Sequence, residues 1–436
     1  MRIAALFLAG AHADIPAHCL RKEVLGEWQL SLAGGNATHL PDCSVAKASV
    51  SHNVYTVTLK EPNLAEDSQG NQGTWTMVYD QGFEVVVNKR KFWGFFDYTQ
   101  KGENVTSHCG SISLGSFHEV PEEGQRPKLW GCHVARKVGG GVVRSHPAPS
   151  KPAWAEGWGM RLPAAELRAE LPRAVVDPRG DEEKYAGLPE AWDWDVKGKV
   201  EQMRDQLTCG SCFAFAGTSM LASRGRIHGV NDLYLSPQEI VSCASDPVTP
   251  SRLYAQGCDG GFPYLVAKYA ADFGLVTDSC FPYESGIETQ APACSKMCSD
   301  PAQKYYASQG YRYVGGYFGN CSEVAMMEAL VKEGPVAVGI QVPQSFINYR
   351  SGIYVETEAE RSARVQGTPG FEATDHAVLV VGYGVENGTK YWRVKNSWGR
   401  HFGETGYFRV RRGTDEIAIE SMAVSADVVV GSQMLV

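Results

Sequence analysis

The stretch QLTCGSCFAFA, residues 206–216, decides the interpretation of this 436-residue chain. It places Cys212 where a glycine-containing turn runs into an apolar, alanine-rich segment that predicts a helix. Backbone N–H groups at a helix N-terminus and the positive end of the helix dipole stabilise a thiolate over a thiol. Cys212 is therefore predicted to be a nucleophile. The spacing of Cys209 and Cys212 leaves one alternative for these two residues, a redox or zinc pair.

Two downstream motifs supply a base and a group that orients it. His376 opens the apolar run HAVLVVGYG, which predicts a buried strand. Asn396 follows a second strand-like run within YWRVKNSWG, residues 391–399. A nearby histidine can hold the thiol as a thiolate–imidazolium pair, and an asparagine amide can fix the orientation and tautomer of the imidazole. Together with Cys212, these residues are the minimum apparatus for acyl transfer.

The region 188–436 resembles the papain-like cysteine peptidases. The resemblance rests, in order, on LPEAWDW at 188–194, the Cys212 motif, GCDGG at 257–261 and NSWG at 396–399. It implies a two-lobe α+β fold with one helical and one β-barrel-like lobe. It also implies that Gln206 and the backbone N–H of Cys212 bind the tetrahedral oxyanion. Trp398 would shield the hydrogen bond between His376 and Asn396 from water.

The chain departs from the family pattern in two ways. Phe213 follows the nucleophile where the family signature has Trp or Tyr, and the histidine and asparagine lie further downstream than usual. Insertions between Cys280 and Cys321 and between Glu356 and Phe371 would explain the longer spacing without moving the site.

Residues 14–139 predict a separate domain. The predicted strands are Val54–Leu59, Thr74–Tyr79, Phe83–Val87 and Phe92–Phe96, and polar or glycine-containing turns separate them. Short strands at this spacing indicate an antiparallel barrel or sandwich. Inhibitory pro-segments of papain-like peptidases are helical, so this domain is an addition.

This first domain resembles the exclusion domain of the dipeptidyl peptidases in the papain-like family. The matching stretches are DIPAHC at 14–19, LGEW at 25–28, DQGFEVVVN at 80–88 and RKVG at 136–139. The resemblance implies a barrel that walls off the cleft beyond the second substrate residue. It also implies that Asp14, as the mature N-terminal residue, pairs with the free ammonium of the substrate. Taken alone, Asp14 would be a solvated residue that follows a cleaved signal.

A third group of residues is predicted to bind substrate. Read from the sequence alone, Gly260-Gly261-Phe262-Pro263-Tyr264 and Tyr313 are turn glycines and core aromatics, although the glycines would permit close approach of a substrate backbone. The resemblance implies that a pocket for the substrate residue two places before the scissile bond is lined by Phe262, Pro263, Tyr264 and Tyr313. This pocket is here called the second-residue pocket. The resemblance also places a chloride ion near Tyr264, and it implies neither a metal nor an organic cofactor.

Asp375 precedes His376 where the dipeptidyl peptidases have asparagine. This additional carboxylate would either change the side-chain preference of the second-residue pocket or restrain the loop of the histidine. The sequence leaves both interpretations open.

Twelve cysteines suggest disulfides in a secreted protein, with a reactive thiol left out of the pairing. This count fits five bridges and two remaining thiols. The resemblance implies the pairs Cys19–Cys109, Cys43–Cys132, Cys209–Cys258, Cys243–Cys294 and Cys280–Cys298, with Cys212 catalytic and Cys321 unpaired.

Several features predict secretion and processing. Residues 1–13 have the composition of a secretory signal, with a buried N-terminus as the alternative, and glycosylation sequons begin at Asn36, Asn104, Asn320 and Asn387. The proline-rich segment 140–187 predicts a loosely folded linker with a helical patch near 163–171, which by resemblance is an activation peptide. An activating protease would cut it before Leu188 and cut again within 356–370, leaving separate chains held by packing. A plain linker without processing is the alternative, and lysosome and extracellular space both fit as destination.

Charge and hydropathy exclude other classes of partner. The net charge of −8 without a basic stripe argues against nucleic acid, and no run after the signal-like segment is apolar and long enough to span a bilayer. The resemblance implies a homotetramer that releases dipeptides from free N-termini of peptides and proteins. The alternatives are an endopeptidase whose first domain has drifted and a non-catalytic secreted binding protein.

Overall fold

The computed structural model describes residues 17–46, 53–102, 104–122, 125–147, 174–177, 181–245, 254–288, 290–298, 304–367 and 374–429. The signal-like segment, Asp14 and the helical patch predicted near 163–171 lie outside the described residues.

The first part of the chain contains short helices and a succession of antiparallel strands. The helices are α1 (Arg21–Val24) and α2 (Cys43–Ala46). The strands are β1 (Gly26–Ala37), β2 (Val54–Lys60), β3 (Leu64–Asp67), β4 (Gln72–Val78), β5 (Gly82–Val87), β6 (Arg90–Phe95), β7 (Asp97–Lys101), β8 (Asn104–His108), β9 (Ser111–Glu119), β10 (Lys128–Lys137) and β11 (Val143–Pro147).

Most of these strands close into a barrel in the order β1-β10-β9-β6-β5-β4-β3-β2. Large apolar side chains such as Trp28, Trp75, Phe83 and Phe92 are buried and fill its interior, as expected when residues along a strand alternate between the two faces. The predicted antiparallel barrel is confirmed, and the four predicted strands match β2, β4, β5 and β6 closely. Tyr79 and Phe96, the last residues of two predicted strands, are the exceptions, because they fall just after β4 and β6.

Described residues of the segment predicted to be a linker make backbone contacts with both domains. Strand β11 pairs with β8, and β8 pairs with β7, so a small sheet continues past Gly139. The Val175 N–H donates a hydrogen bond to the carbonyl of Cys321 (2.7 Å), which places residue 175 against the catalytic domain. Described backbone groups of this segment, in β11 and at Val175, therefore have hydrogen-bond partners, and its role as an activation peptide stays a prediction.

The catalytic domain begins with a helical lobe. A short helix, α3 (Asp181–Lys184), precedes this domain, and the helices of the lobe are α4 (Cys212–Ile227), α5 (Pro237–Cys243), α6 (Pro263–Phe273) and α7 (Ser285–Glu288), with 3₁₀ turns at Gly257–Asp259 and Cys294–Lys296. Nearly all of α4 is buried, which explains its alanine-rich, apolar composition. It packs against α6 on one side and against the sheet of the second lobe on the other.

The second lobe is built on a mixed sheet. Its strands are β12 (Trp192–Asp193), β13 (Arg312–Tyr313), β14 (Val336–Ile340), β15 (Ile353–Tyr354), β16 (His376–Glu386), β17 (Thr389–Lys395), β18 (Tyr407–Arg411) and β19 (Ala423–Ser425). The sheet order is β13-β19-β14-β16-β17-β18-β15, with β12 paired to β16. The helices of this lobe are α8 (Glu323–Lys332), α9 (Gln344–Ile347) and α10 (Glu358–Gly367), with a 3₁₀ turn at Glu416–Ala418. The predicted two-lobe arrangement is thus present.

Five disulfides join the cysteine pairs that the resemblance implied. Two of them lie in the barrel domain, and three tie together turns of the helical lobe. Cys212 and Cys321 are buried and are not part of a disulfide. Burial raises the pKa of the Cys321 thiol, which keeps it protonated.

Among the residues that the structure describes, none of the helices combines the length and the apolar character required to cross a bilayer.

Candidate active site

Cys212 is the first residue of α4, and its side chain is buried. The turn before it is fixed by the disulfide between Cys209 and Cys258 and by a hydrogen bond from the Gly210 N–H to the Cys258 carbonyl (2.9 Å). Because Cys209 is bound to Cys258, it is not a redox or zinc partner of Cys212. The predicted position of the nucleophile at a helix N-terminus is the one observed.

The β16–β17 hairpin brings the histidine and the asparagine together. The two strands are antiparallel, so the start of β16 lies beside the end of β17. His376 Nε2 lies 2.7 Å from Asn396 Oδ1, which also accepts the Ser397 N–H (2.8 Å). A carbonyl oxygen accepts only, so this contact assigns the proton to Nε2 and leaves Nδ1 as the basic nitrogen. Nδ1 is buried and has no hydrogen-bond partner among the described residues.

The surroundings of His376 keep its ring neutral. The Trp398 ring stacks on the imidazole with centroids 4.7 Å apart, as the predicted shielding of the His376–Asn396 contact requires. Burial lowers the pKa of His376 to about 4, and the hydrogen bond to Asn396 offsets only part of this effect. The neutral ring is the form that can accept a proton from a thiol.

Gln206 is fully buried and is joined to the loop that carries Asn396. Its Oε1 accepts the Ser397 hydroxyl (2.6 Å), and its Nε2 donates to the Cys209 carbonyl (3.0 Å). Its backbone N–H also donates to the Ser397 carbonyl (2.8 Å). The side-chain amide has two N–H groups, so one remains to point at an oxyanion. The contact with Ser397 was not predicted, although Ser397 lies in the NSWG motif.

The two glycines of the predicted pocket are required by the protein's own packing. Gly260 has a φ of 136°, a conformation that other residues rarely adopt. A Cβ on Gly261 would lie 2.6 Å from the ring of Phe213. The ring that replaces the usual Trp or Tyr after the nucleophile therefore packs directly on the Gly261 backbone.

The aromatic pocket residues form one buried cluster. Pro263 is the first residue of α6, where a missing N–H has no cost. The rings of Tyr264 and Tyr313 stack with centroids 4.4 Å apart, and the ring of Phe262 stacks on Tyr79 of the barrel at 3.6 Å. The barrel thus meets the catalytic domain at the residues predicted to line the second-residue pocket.

The Tyr264 hydroxyl does not fit the chloride implied by the resemblance. It donates to Glu84 Oε1 of the barrel (3.1 Å), and burial followed by the Glu84 carboxylate raises the pKa of Tyr264 well above its usual range. A second anion at this hydroxyl would face the carboxylate.

Asp375 restrains the start of β16. Its Oδ1 accepts the Val342 N–H (2.9 Å), and its own N–H donates to the Ile340 carbonyl (3.0 Å). Burial raises the pKa of Asp375 to about 8, so the carboxyl is protonated below that pH. Of the two open interpretations, restraint of the histidine loop is the one that these contacts support.

Sequence reasoning missed two barrel residues, Tyr79 and Glu84, that contact the predicted pocket. The sequence predicts only a strand end at Tyr79, and at Glu84 only a strand within the matching stretch at 80–88. Their partners Phe262 and Tyr264 lie more than a hundred residues away in the chain, so local patterns give no signal for the contact.

Two protein-family models match the chain. The model of the papain family cysteine protease matches residues 188–427, and that of the cathepsin C exclusion domain matches residues 14–137. The chain therefore belongs to the papain family of cysteine proteases.

Similar known proteins narrow this class. Cathepsin C from Schistosoma mansoni is 34% identical to the chain, and the alignment covers 95% of each protein. The chain is thus a cathepsin C-like cysteine peptidase of the papain family. A gut-specific cysteine proteinase from Caenorhabditis elegans is 30% identical over 55% of this chain and 74% of its own length. The solved structure of digestive procathepsin L 3 of Tenebrio molitor larval midgut is 27% identical, with 61% of this chain and 79% of that chain covered and a TM-score of 0.46.

Proposed function

We propose that the chain is an exopeptidase that removes dipeptides from free N-termini of peptides and proteins. The observation that carries the proposal is the docking of the barrel on the predicted second-residue pocket, where Tyr79 stacks on Phe262 and Glu84 accepts the hydroxyl of Tyr264. A domain in this position would close the groove to substrate residues beyond the pocket. The resemblance to cathepsin C over nearly the whole chain supports the same conclusion.

The substrate ammonium needs a counter-charge at the closed end of the groove. Leaving a charge buried without a partner costs several kcal/mol, roughly 3–5 by comparison with broken buried ion pairs. Asp14 lies outside the described residues, and we propose from the resemblance that its carboxylate supplies this charge. Ala17 and His18, which follow it closely, are buried against the barrel, so the N-terminal segment enters the fold near this domain.

The proposed chemistry uses the side chains of the Cys212 motif and of the β16–β17 hairpin. His376 Nδ1 accepts the thiol proton of Cys212, and the sulfur attacks the carbonyl of the second residue from the substrate N-terminus. The free N–H of the Gln206 amide and the backbone N–H of Cys212 bind the oxyanion, a contact whose loss typically costs about 3 kcal/mol of transition-state stabilisation. The imidazolium then protonates the leaving amine, and the neutral ring activates water to hydrolyse the thioester.

The disulfides and sequons support maturation in the secretory pathway. Five bridges require an oxidising compartment, and Asn36, Asn104 and Asn387 are exposed. Asn320 is less accessible, since its side-chain amide donates to the Gly315 carbonyl (2.7 Å). We propose an extracellular or lysosomal destination, activation by another protease and assembly as a homotetramer.

A comparison of free and capped substrates tests the proposal. Mature enzyme is assayed on a dipeptidyl coumarin amide and on its N-acetylated copy, and we expect the free substrate to react at least a hundredfold faster because the ammonium pairs with Asp14. Equal rates on both substrates would identify an endopeptidase and contradict the proposed exopeptidase activity.

Two substitutions of Asp14 refine this test. Asp14→Asn removes the charge but keeps the shape, and Asp14→Glu keeps the charge but moves it by about an ångström, a displacement to which such sites are sensitive. Both are expected to lose most dipeptide release. Glu122→Gln removes an exposed carboxylate of the barrel and serves as the matched control.

A further inference from the structure

The turn that follows β4 presents one aromatic side chain to the catalytic domain. Tyr79 is the first residue after β4 and has a φ of 54°, in the left-handed region. A tyrosine in this conformation is unfavourable and persists only where its surroundings fix it. Strained residues of this kind concentrate at functional sites.

Three contacts hold the turn in place. The Cys19 N–H donates to the Asp80 carbonyl (2.7 Å), and the Phe96 N–H donates to the Gln81 carbonyl (2.8 Å). The Nδ1 of His18 also contacts the Asp80 carboxylate, and both side chains are buried. The turn is therefore anchored by the residue after β6 on one side and by the N-terminal segment on the other.

The Tyr79 ring contacts a group of catalytic-domain residues, not a single neighbour. Its centroid lies 3.6 Å from that of Phe262, 6.3 Å from that of Tyr313 and 5.9 Å from that of Phe318. Its hydroxyl reaches the sulfur of Met422 (3.6 Å). The ring is 1% exposed, so it fills space between these side chains and does not cover them from outside.

We infer that Tyr79 is a specificity-determining residue that limits the size of the substrate's N-terminal side chain. The inference rests on the proposed function. When a dipeptide is released, the residue two places before the scissile bond is the N-terminal one, so its side chain enters the second-residue pocket, which Phe262 and Tyr313 line. A ring stacked on Phe262 occupies volume that a large side chain would need. The preferred substrates are peptides whose N-terminal residue is small, such as glycine, alanine or serine, and large aromatic residues are disfavoured.

A purely structural role is the competing explanation, because buried aromatic pairs also stabilise domain interfaces. The two roles predict different kinetics. Loss of an interface contact lowers kcat/KM for every substrate by one factor, whereas removal of a pocket wall changes the ratio between large and small substrates.

The test compares Ala-Ala and Phe-Ala coumarin amides with wild type and the Tyr79→Ala variant. Wild type is expected to favour Ala-Ala, and Tyr79→Ala is expected to shift the ratio of kcat/KM towards Phe-Ala by roughly tenfold or more, the range for a pocket that gains or loses apolar volume. Tyr79→Phe keeps the ring and should leave the ratio within about twofold. Tyr98→Ala, at an exposed tyrosine of β7, is the control that removes a barrel tyrosine elsewhere.

The outcomes separate the two proposals. If the wild-type enzyme releases neither dipeptide, both the proposed function and this inference are wrong. If the wild-type enzyme releases dipeptides but Tyr79→Ala leaves the ratio of kcat/KM between Phe-Ala and Ala-Ala unchanged, only the inference is wrong. Tyr79→Leu replaces the alanine variant if the latter loses cooperative unfolding. Loss of folding in both would assign Tyr79 a structural role and overturn the inference.

Discussion

At the scale of single residues, burial controls which groups beside the nucleophile carry charge. His376 and Asp375 are adjacent and both fully buried, and burial moves their pKa values in opposite directions, to about 4 and about 8. Between these values both side chains are neutral. A neutral carboxyl next to the histidine resembles the asparagine found in the related dipeptidyl peptidases, which explains how an acid is accommodated at this position.

Asp375 makes the free energy of unfolding depend on pH. The unfolded chain releases this proton near pH 3.9, whereas the folded chain retains it up to about pH 8. Between these values the folded state binds more protons, so the contribution of Asp375 falls by up to about 1.4 kcal/mol per pH unit as pH rises. Asp375→Asn keeps the acceptor for the Val342 N–H and removes this titration.

The measurement is urea unfolding of wild type and Asp375→Asn from pH 4 to pH 9. The difference between the two proteins should grow in favour of the variant up to about pH 8 and stay constant above it. A difference that does not vary with pH would contradict the buried, protonated carboxyl.

At the scale of elements, α10 occupies most of the segment predicted to be an exposed polar loop with a processing cut. Thr357 and Glu360 form a capping box: the Glu360 N–H donates to Thr357 Oγ1 (3.2 Å), and the Thr357 N–H donates to Glu360 Oε2 (3.1 Å). Arg361 then donates to the Thr414 carbonyl (3.3 Å) and pairs with Glu416. The sequence Thr-Glu-Ala-Glu, residues 357–360, carries the signature of this cap.

The helix restricts where the chain can be cut, because proteases act on exposed, flexible backbone. We expect the new N-terminus of the processed enzyme to lie after Gly367 and not within α10, which mass spectrometry of the mature chains reports. Thr357→Ala removes the cap at a cost of about 1 kcal/mol and should accelerate tryptic cleavage after Arg361 and Arg364.

Thr277→Ala removes a threonine hydroxyl whose hydrogen-bond partner, Ser279, lies away from this helix, and it is the control. A mature N-terminus between residues 358 and 367 in the wild-type protein would show that α10 does not protect the segment.

At the scale of the whole molecule, a buried charged cluster joins the barrel to the catalytic domain. Glu84 accepts the hydroxyls of Tyr264 (3.1 Å) and Tyr311 (2.6 Å) and lies 3.5 Å from Lys268 Nζ and 3.8 Å from Lys91 Nζ. Burial alone would raise the pKa of Glu84, but the two lysines hold it below its usual range. Contacts of Lys268 and His118 with Asp272 and of Lys91 with Gln309 extend the cluster across the interface.

Glu84→Gln leaves the phenol partners in place but removes the negative charge between two buried lysines. Breaking a buried ion pair in this way typically costs about 3–5 kcal/mol, and we expect a loss of that order in the free energy of unfolding. Glu66→Gln is the matched control, because the pair of Glu66 with Lys60 lies in the same barrel and is exposed, where about 0–1 kcal/mol is typical. Similar losses of unfolding free energy in the two variants would contradict a role of the cluster in stabilising the contact between the domains.

Local sequence patterns predict some strands of this protein and not others. Strands β2, β4, β5 and β6 follow local alternation and turn residues, and they were predicted closely. Strand β11 was not predicted, because its pairing with β8 involves residues about forty positions away whose register no local pattern specifies. Tyr79 and Glu84 were missed for the same reason, since their partners belong to the other domain.

The sequence by itself determined the chemistry of this protein: a cysteine at the start of a buried helix, a histidine at the start of a strand and an asparagine after its partner strand. These features depend on short motifs and on pairing within one hairpin, which local residue order specifies. The tertiary structure alone decided which barrel side chains reach the catalytic groove. Contacts such as that of Tyr79 with Phe262 depend on how two separately encoded domains dock, and docking is determined by the packing of surfaces assembled from distant parts of the chain.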